Sequence, residues 1–298
     1  MGQEFVGIDV GTATIKAGVV DEKNRVFETL DPPTPTTAAK FNEIVLKTLK
    51  IIGAHHKITA VGVGLPGLYD YKSQENLHVA NLKYDLEELK EKSPLPIFFG
   101  NDADMALLGE LELRPEIKKE NVALLTIGTG VGGAFTINGK MPYELNLAGE
   151  VGHMKIMAGG RECSCGQKGC LQAYAGGRAI EKEAEEKYGK KLSAKQIFEL
   201  AREGDKKARD IVYEMSEALG VGIANLVNIL GVTRVILAGK ISKSADLIFE
   251  FMHESDQNNI FAFKERPYVL EASSGPDEIG IVGAANFAKL KLDKKILP

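Results

Sequence analysis

Apolar and polar positions alternate in short bursts at the start of the chain. Glu4–Val10, Thr14–Val20 and Arg25–Thr29 read as strands separated by Gly11-Thr12 and by Asp21-Glu22-Lys23-Asn24, a succession of hairpins. After Pro32, Pro33 and Pro35 the period changes, and Phe41, Ile44, Val45, Leu49 and Ile52 recur at helical spacing up to Gly53. The pattern then predicts a strand over Thr59–Gly64, stopped by Gly64-Leu65-Pro66-Gly67. A short helix over Leu86–Lys92, a strand over Pro96–Gly100 and a helix over Ala103–Glu112 follow. Pro115 and the charged run Glu116–Glu120 mark a lobe boundary.

Beyond that boundary the opening arrangement returns. Asn121–Ile127 is a continuously apolar strand suited to a sheet covered on both faces, followed by a glycine-rich turn and a strand over Gly133–Ile137. The echo of strand, Gly/Thr turn and strand suggests two related lobes. Residues 154–170 are rich in Gly, Cys and Lys and read as irregular, because glycine density opposes a long helix or central strand. Helices are expected over Leu171–Tyr188, Ala194–Ala201 and Lys206–Leu230. The last carries an apolar stripe of Ala208, Ile211, Met215, Leu219, Ile223, Leu226 and Leu230. A strand over Arg234–Ala238 ends at Gly239, a helix runs from about Ser244 to His253, Val269–Glu271 is a short strand, and Ile279–Leu290 closes the chain as a helix. Hairpins mixed with parallel crossovers exclude an all-helical bundle and a plain barrel more readily than they select one α/β fold.

Composition narrows the chemistry. At 298 residues the chain lies where single cores stop growing, so two lobes and a cleft are expected. It is 44% hydrophobic and 26% charged, with 37 Lys and Arg against 41 Asp and Glu, which favours neither nucleic acid nor an acidic membrane face. With no long apolar span and no signal-peptide core ahead of the first strand, the expected location is the cytoplasm. The three cysteines, an odd number packed into Cys163–Cys170, read as metal ligands before a disulfide framework.

Three stretches then act together: Asp9-Val10-Gly11-Thr12, Gly64-Leu65-Pro66-Gly67, and Gly149-Glu150-Val151-Gly152-His153 followed by Cys163-Ser164-Cys165-Gly166-Gln167-Lys168-Gly169-Cys170. With Asn101-Asp102-Ala103-Asp104, Gly128-Thr129-Gly130-Val131-Gly132-Gly133 and Gly283-Ala284-Ala285, they resemble the ROK family of sugar kinases, a branch of the actin-like, hexokinase-like ATPases. The resemblance covers nearly the whole chain. It implies a two-lobed actin-like fold with ribonuclease-H-like lobes and a central cleft. Residues 1–115 and a returning C-terminal helix at about 284–298 would form the N-terminal lobe with part of the sugar site, and residues 116–283 the C-terminal lobe with the zinc knuckle and nucleotide contacts. It also implies a homodimer or homotetramer. The family includes repressors with an added N-terminal DNA-binding module; here Phe5 already begins a strand, which favours the enzyme and no nucleic-acid partner.

The expected reaction is ATP-dependent phosphorylation of a hexose hydroxyl, with glucose going to glucose 6-phosphate, and ATP, Mg²⁺ and structural Zn²⁺ as cofactors. Asp9, Gly11, Thr12, Thr14 and Lys16 form one phosphate-binding turn: small residues admit a polyphosphate, hydroxyls and N–H groups donate, and Asp9 serves Mg²⁺. Taken alone, Asp9 could equally cap a hairpin turn. Gly128, Thr129, Gly130, Gly132 and Gly133 form the second cradle, with four glycines in six residues whose entropic cost asks for a function. The resemblance adds Gly239 near the adenosine. Neither turn ends in the Gly-Lys-Ser/Thr of the P-loop class.

Asp102, between a strand end and a helix start, reads either as a helix N-cap or as the catalytic base. With a reference pKa of about 3.9 it would be ionised and take the proton late, as the attacking oxygen bonds to phosphorus. The resemblance assigns Gly67, Asn81, Asn101, Glu150, His153 and Gln172 to the sugar alongside Asp102. Gln172 departs from the family's usual Glu, replacing an acceptor-only carboxylate with an amide that also donates. His153, Cys163, Cys165 and Cys170 supply one nitrogen and three sulfurs, a set that suits a closed tetrahedral Zn²⁺ site. The alternatives are a kinase for another hexose or an N-acetylhexosamine, or a non-catalytic sugar-sensing protein.

Overall fold

A computed structural model describes every residue except Met1, Thr12, Ala13, Thr36, 79–83, 253–254, Pro276 and 296–298. The chain divides into two compact units, Met1–Lys118 with Lys140–Ala148 and Asp277–Pro298, and Lys119–Gly139 with Gly149–Pro276.

The first unit contains β1 (Glu4–Val10), β2 (Ile15–Asp21), β3 (Val26–Leu30), α1 (Ala38–Gly53), β4 (Ile58–Leu65), β5 (Leu68–Asp70), β6 (Glu75–His78), α2 (Leu86–Lys92), β7 (Ile97–Asn101) and α3 (Asp102–Leu113). The second contains β8 (Val122–Ile127), β9 (Val131–Phe135), α4 (Gln172–Ala175), α5 (Gly177–Tyr188), α6 (Ala194–Arg202), α7 (Lys206–Leu230), β10 (Arg234–Ala238), α8 (Ala245–Met252), α9 (Ser255–Asn259) and β11 (Val269–Ala272). The closing helix, α10 (Ile279–Leu292), belongs to the first unit.

In the first sheet the order is β3-β2-β1-β4-β7, and in the second β11-β10-β8-β9. β1 pairs antiparallel with β2 and parallel with β4; β8 pairs antiparallel with β9 and parallel with β10. The run β2-β1-β4-β7 thus has a counterpart in β9-β8-β10-β11, which is the sequence echo expressed as topology. The mixed sheets and helices give the expected α/β class.

Strand alternation decides what each face of β1 meets. Val6, Ile8 and Val10 enter a core with Phe41, Val45, Leu49 and Ile52 of α1. Phe5 packs instead with Ile281, Ala285 and Ala288 of α10. Gly7 shares that second face, and a Cβ on it would stand 1.9 Å from the Ile281 carbonyl oxygen; at Gly62 of β4 it would stand 1.8 Å from that of Ala284. These glycines let α10 lie directly on the sheet. Ile279 through Ala288 are all buried, Asn286 among them, so this helix is enclosed on every side rather than amphipathic. In the second unit the α7 stripe from Ala208 to Leu226 is buried, with Asp205 capping its start and Gly231, at φ +62°, ending it.

Three local expectations change. The β5–β6 hairpin was not predicted, because strands of three and four residues carry too little alternation. The helix expected over Leu171–Tyr188 divides at Gly176, whose extended backbone (φ −77°, ψ 151°) separates α4 from α5; a Cβ there would lie 2.8 Å from the Gln172 carbonyl oxygen and 3.1 Å from Gly130 Cα. β9 begins at Val131, so Gly132 and Gly133 belong to a strand and the open turn is Gly128–Gly130. No helix among the described residues is long and apolar enough to cross a membrane.

Candidate functional site

In the first unit β1, β4 and β7 run parallel, and the residues singled out above gather where those strands end. Asp9 is next to last in β1, Gly67 follows β4, Asn101 ends β7, and Asp102 begins α3. Carboxyl ends of parallel strands are where open α/β sheets bind ligands.

Asn101 takes the capping role. Its Oδ1 accepts from the N–H groups of Ala103 (2.8 Å) and Asp104 (3.1 Å), while its Nδ2 donates to the Gly67 carbonyl at 2.9 Å. One side chain therefore fixes both the start of α3 and the turn after β4, where Gly67 has φ +95°. Asp102, part exposed, accepts from the Ala103 N–H at 2.9 Å through Oδ1. Behind it the buried Tyr71 hydroxyl donates to Asp104 Oδ2 at 2.6 Å and accepts from the Asn101 N–H at 3.1 Å. Gly100 makes room, since a Cβ there would be 3.1 Å from that hydroxyl and 2.3 Å from Met105 Cε. Burial, then the charge of Asp102, pushes the Tyr84 phenol up to about 12.

Asp9 points to the α10 face. A Cβ on Gly280, in the first turn of α10, would stand 2.6 Å from Asp9 Cγ. Loss of solvation raises the Asp9 carboxyl to about 6 although part of its surface reaches water, and the nearby Lys16 opposes the rise. Lys16 itself donates to Asp277 Oδ1 at 2.9 Å. The Gly11 N–H donates to the Thr14 carbonyl at 2.8 Å. Thr12 and Asn81 lie outside the described residues.

In the second unit Gly128 follows β8 and Gly239 follows β10, side by side at the ends of two parallel strands. Gly239 has φ +87°, and a Cβ on it would lie 2.6 Å from the Ile127 carbonyl oxygen, so this position demands glycine. The turn Gly128–Gly130 is clamped from its carbonyl side. The Gly177 and Arg178 N–H groups, at the start of α5, donate to the carbonyls of Gly128 (2.8 Å) and Thr129 (3.1 Å). Gly133 serves packing: a Cβ on it would stand 2.2 Å from Val151 Cγ2. Val151–His153 forms a helical turn pressed onto β9, with the exposed Glu150 just before it.

His153, Cys163, Cys165 and Cys170 converge, their four donor atoms all within 4.8 Å of one another. Cys165 Sγ and Cys170 Sγ are 3.8 Å apart, and Cys163 Sγ lies 3.8 Å from His153 Nδ1. A tetrahedral zinc with Zn–S bonds of about 2.3 Å separates its sulfurs by about 3.8 Å, so donor set and spacing fit that ion. Gly166 and Gly169, at φ +82° and +77°, fold the chain around the cluster. Lys155 Nζ donates to Cys170 Sγ at 2.9 Å, and the Gln172 amide donates to Cys163 Sγ at 3.2 Å. Burial pushes the Cys163 thiol up, but hydrogen bonds from the Cys165 N–H, Gln172 and the neighbouring cysteines bring it down to about 6.

Sequence reasoning missed Tyr71, which carries no local signal, and gave Asp104 no role although it stood in the quoted motif. Nor did it find Lys155 or the contact of Asp9 with α10, both of which depend on distant segments meeting.

Comparison with known proteins defines the class first. The chain is 30% identical over 308 aligned residues to a glucokinase from Streptomyces coelicolor, covering 95% of this chain and 97% of the relative. It is 33% identical over 313 to an N-acetyl-D-glucosamine kinase from Vibrio atlanticus, covering 96% and 100%. The structure of a ROK family glucokinase from Streptomyces griseus in complex with glucose and AMPPNP is similar with a TM-score of 0.86 and 28% identity, over 96% of this chain and 99% of that one. This is the class of ATP-dependent sugar kinases, phosphotransferases acting on hexoses. The ROK family model matches residues 5–291, and the chain belongs to the ROK family.

Proposed function

We propose that the chain transfers the γ-phosphoryl group of ATP to a hydroxyl of glucose, forming glucose 6-phosphate, with Asp102 as the base. The observation carrying this reading is that Asn101, rather than Asp102, caps α3. The carboxylate is then held at a strand end without being the cap. Asp102 would accept the hydroxyl proton late in the transfer, while Gly67 and Asn101 set the turn beside it; Glu150 and His153 complete the proposed sugar contacts. Gly11, Thr12, Thr14 and Lys16 and the turn Gly128–Gly130 would contact phosphate oxygens, and Gly239 would leave space for the nucleoside.

Asp9 and its neighbours would serve Mg²⁺, a hard cation that suits a carboxylate. When bound, the ion neutralises charge on the polyphosphate. The four-donor cluster would hold Zn²⁺ in a closed, structural site that orders Glu150, His153 and α4. Self-association as a dimer or tetramer belongs to the same proposal, and light scattering decides it.

A second reading has specific support. The Vibrio relative covers as much of the chain as the Streptomyces one, so the relatives back hexose and N-acetylhexosamine alike, not glucose alone. A coupled ADP-release assay over glucose, mannose, fructose, N-acetylglucosamine and N-acetylmannosamine, with the phosphate position read by NMR, separates them. ATP turnover with none of these sugars, combined with sugar binding, would leave only a sensor.

A further inference from the structure

Gln172 occupies a position assigned above to the sugar, yet its amide is engaged elsewhere. Both Nε2 hydrogens have partners: Nε2 lies 3.2 Å from Cys163 Sγ and 3.1 Å from Ser164 Oγ. The opposite end of the amide faces the glycine turn, because a Cβ on Gly130 would stand 2.8 Å from Gln172 Oε1. The helical turn that Gln172 begins, α4, runs into Gly176–Arg178, and those residues clamp the Gly128 and Thr129 carbonyls. A single residue thus touches the cysteine cluster on one side and the phosphate-type turn on the other.

We infer that Gln172 is a positioning residue of the metal knuckle: it supports the Cys163 thiolate from outside the coordination sphere and ties the knuckle to the Gly128–Gly130 turn. This rests on the reading of the cluster as a zinc site. An amide suits this role. A zinc-bound thiolate carries negative charge, and an N–H donor stabilises it, as partners of metal ligands generally do. A carboxylate of the same length would have no hydrogen to give and would set a second negative charge beside the sulfur. Gln172 therefore acts on the metal side as a donor, leaving Oε1 as its acceptor toward the turn.

The test uses the full-length zinc-loaded protein and follows transfer of Zn²⁺ to a competing chromophoric chelator. Gln172→Glu and Gln172→Ala are expected to release zinc about 10- to 100-fold more readily than the parent. Gly130→Ala, which pushes on Oε1 without touching a cysteine, is expected to shift release in the same direction by a smaller factor. Circular dichroism checks the fold of each variant, and if the glutamate variant does not fold, the alanine variant carries the comparison. Release rates within twofold of the parent in both Gln172 variants overturn the role of Gln172 while leaving the zinc site standing. A parent protein that retains no stoichiometric zinc overturns both together.

Discussion

The Tyr71 hydroxyl donates to Asp104 Oδ2 at 2.6 Å from a fully packed position under the start of α3. The Tyr71 hydroxyl oxygen also accepts the Asn101 N–H, so β7 and α3 are joined through a residue that lies between β5 and β6. Edge-on contacts with Tyr69 and Tyr143, ring centroids 5.1 and 5.2 Å away, hold the phenol in place. Tyr71→Phe keeps the ring and removes the donor to a carboxylate. It is expected to cost about 1.5–3 kcal/mol of stability, the range for hydrogen bonds to charged groups. Urea unfolding measures this, and an unchanged midpoint would show that the bond contributes nothing net.

Asp102→Asn preserves size and the Asn101 cap but removes the proton acceptor. The proposed mechanism expects kcat to fall by roughly 10²–10⁴ with sugar affinity kept. Steady-state rates together with a sugar titration by calorimetry check both halves, and near-parental turnover removes Asp102 from the role.

Asp9 gives a pH-dependent prediction. Its carboxyl is held at about 6 in the folded protein against 3.8 for an ordinary aspartate, so between those values the folded state binds a proton that the unfolded state has lost. Stability therefore declines as pH rises through that window and levels off above it. Asp9→Asn removes a cost on the order of 3 kcal/mol at pH 7 and none at pH 3. Thermal melts at several pH values should show the variant gaining on the parent from pH 4 to 6.5. Activity should be lost at the same time, since the carboxylate is the group proposed to serve Mg²⁺.

Gly283→Ala tests the seating of α10. A Cβ at this position would stand 1.6 Å from the Met105 carbonyl oxygen and 2.8 Å from the Gly109 nitrogen, backbone atoms that cannot rotate away. Overpacking of this kind costs about 1–3 kcal/mol or more. The melting temperature should drop clearly, whereas alanine at the open Gly53, whose Cβ would meet nothing within 4 Å, should leave it nearly unchanged.

What the sequence determined by itself are the features written in short-range pattern and side-chain chemistry. Period-2 and period-3.6 spacing placed β1, β10 and α7 at their observed bounds, because each buries one continuous stripe or strand. The cysteine cluster was legible because three sulfurs within eight residues have few other uses. Tertiary structure alone decided the rest: that Asn101 rather than its neighbour caps α3, that Gly133 makes room for packing against Val151 instead of extending an open turn, and that Gln172 turns its donor toward sulfur. These depend on which backbone atoms come within van der Waals distance of one another across segments far apart in the chain. A periodicity carries no information about that distance.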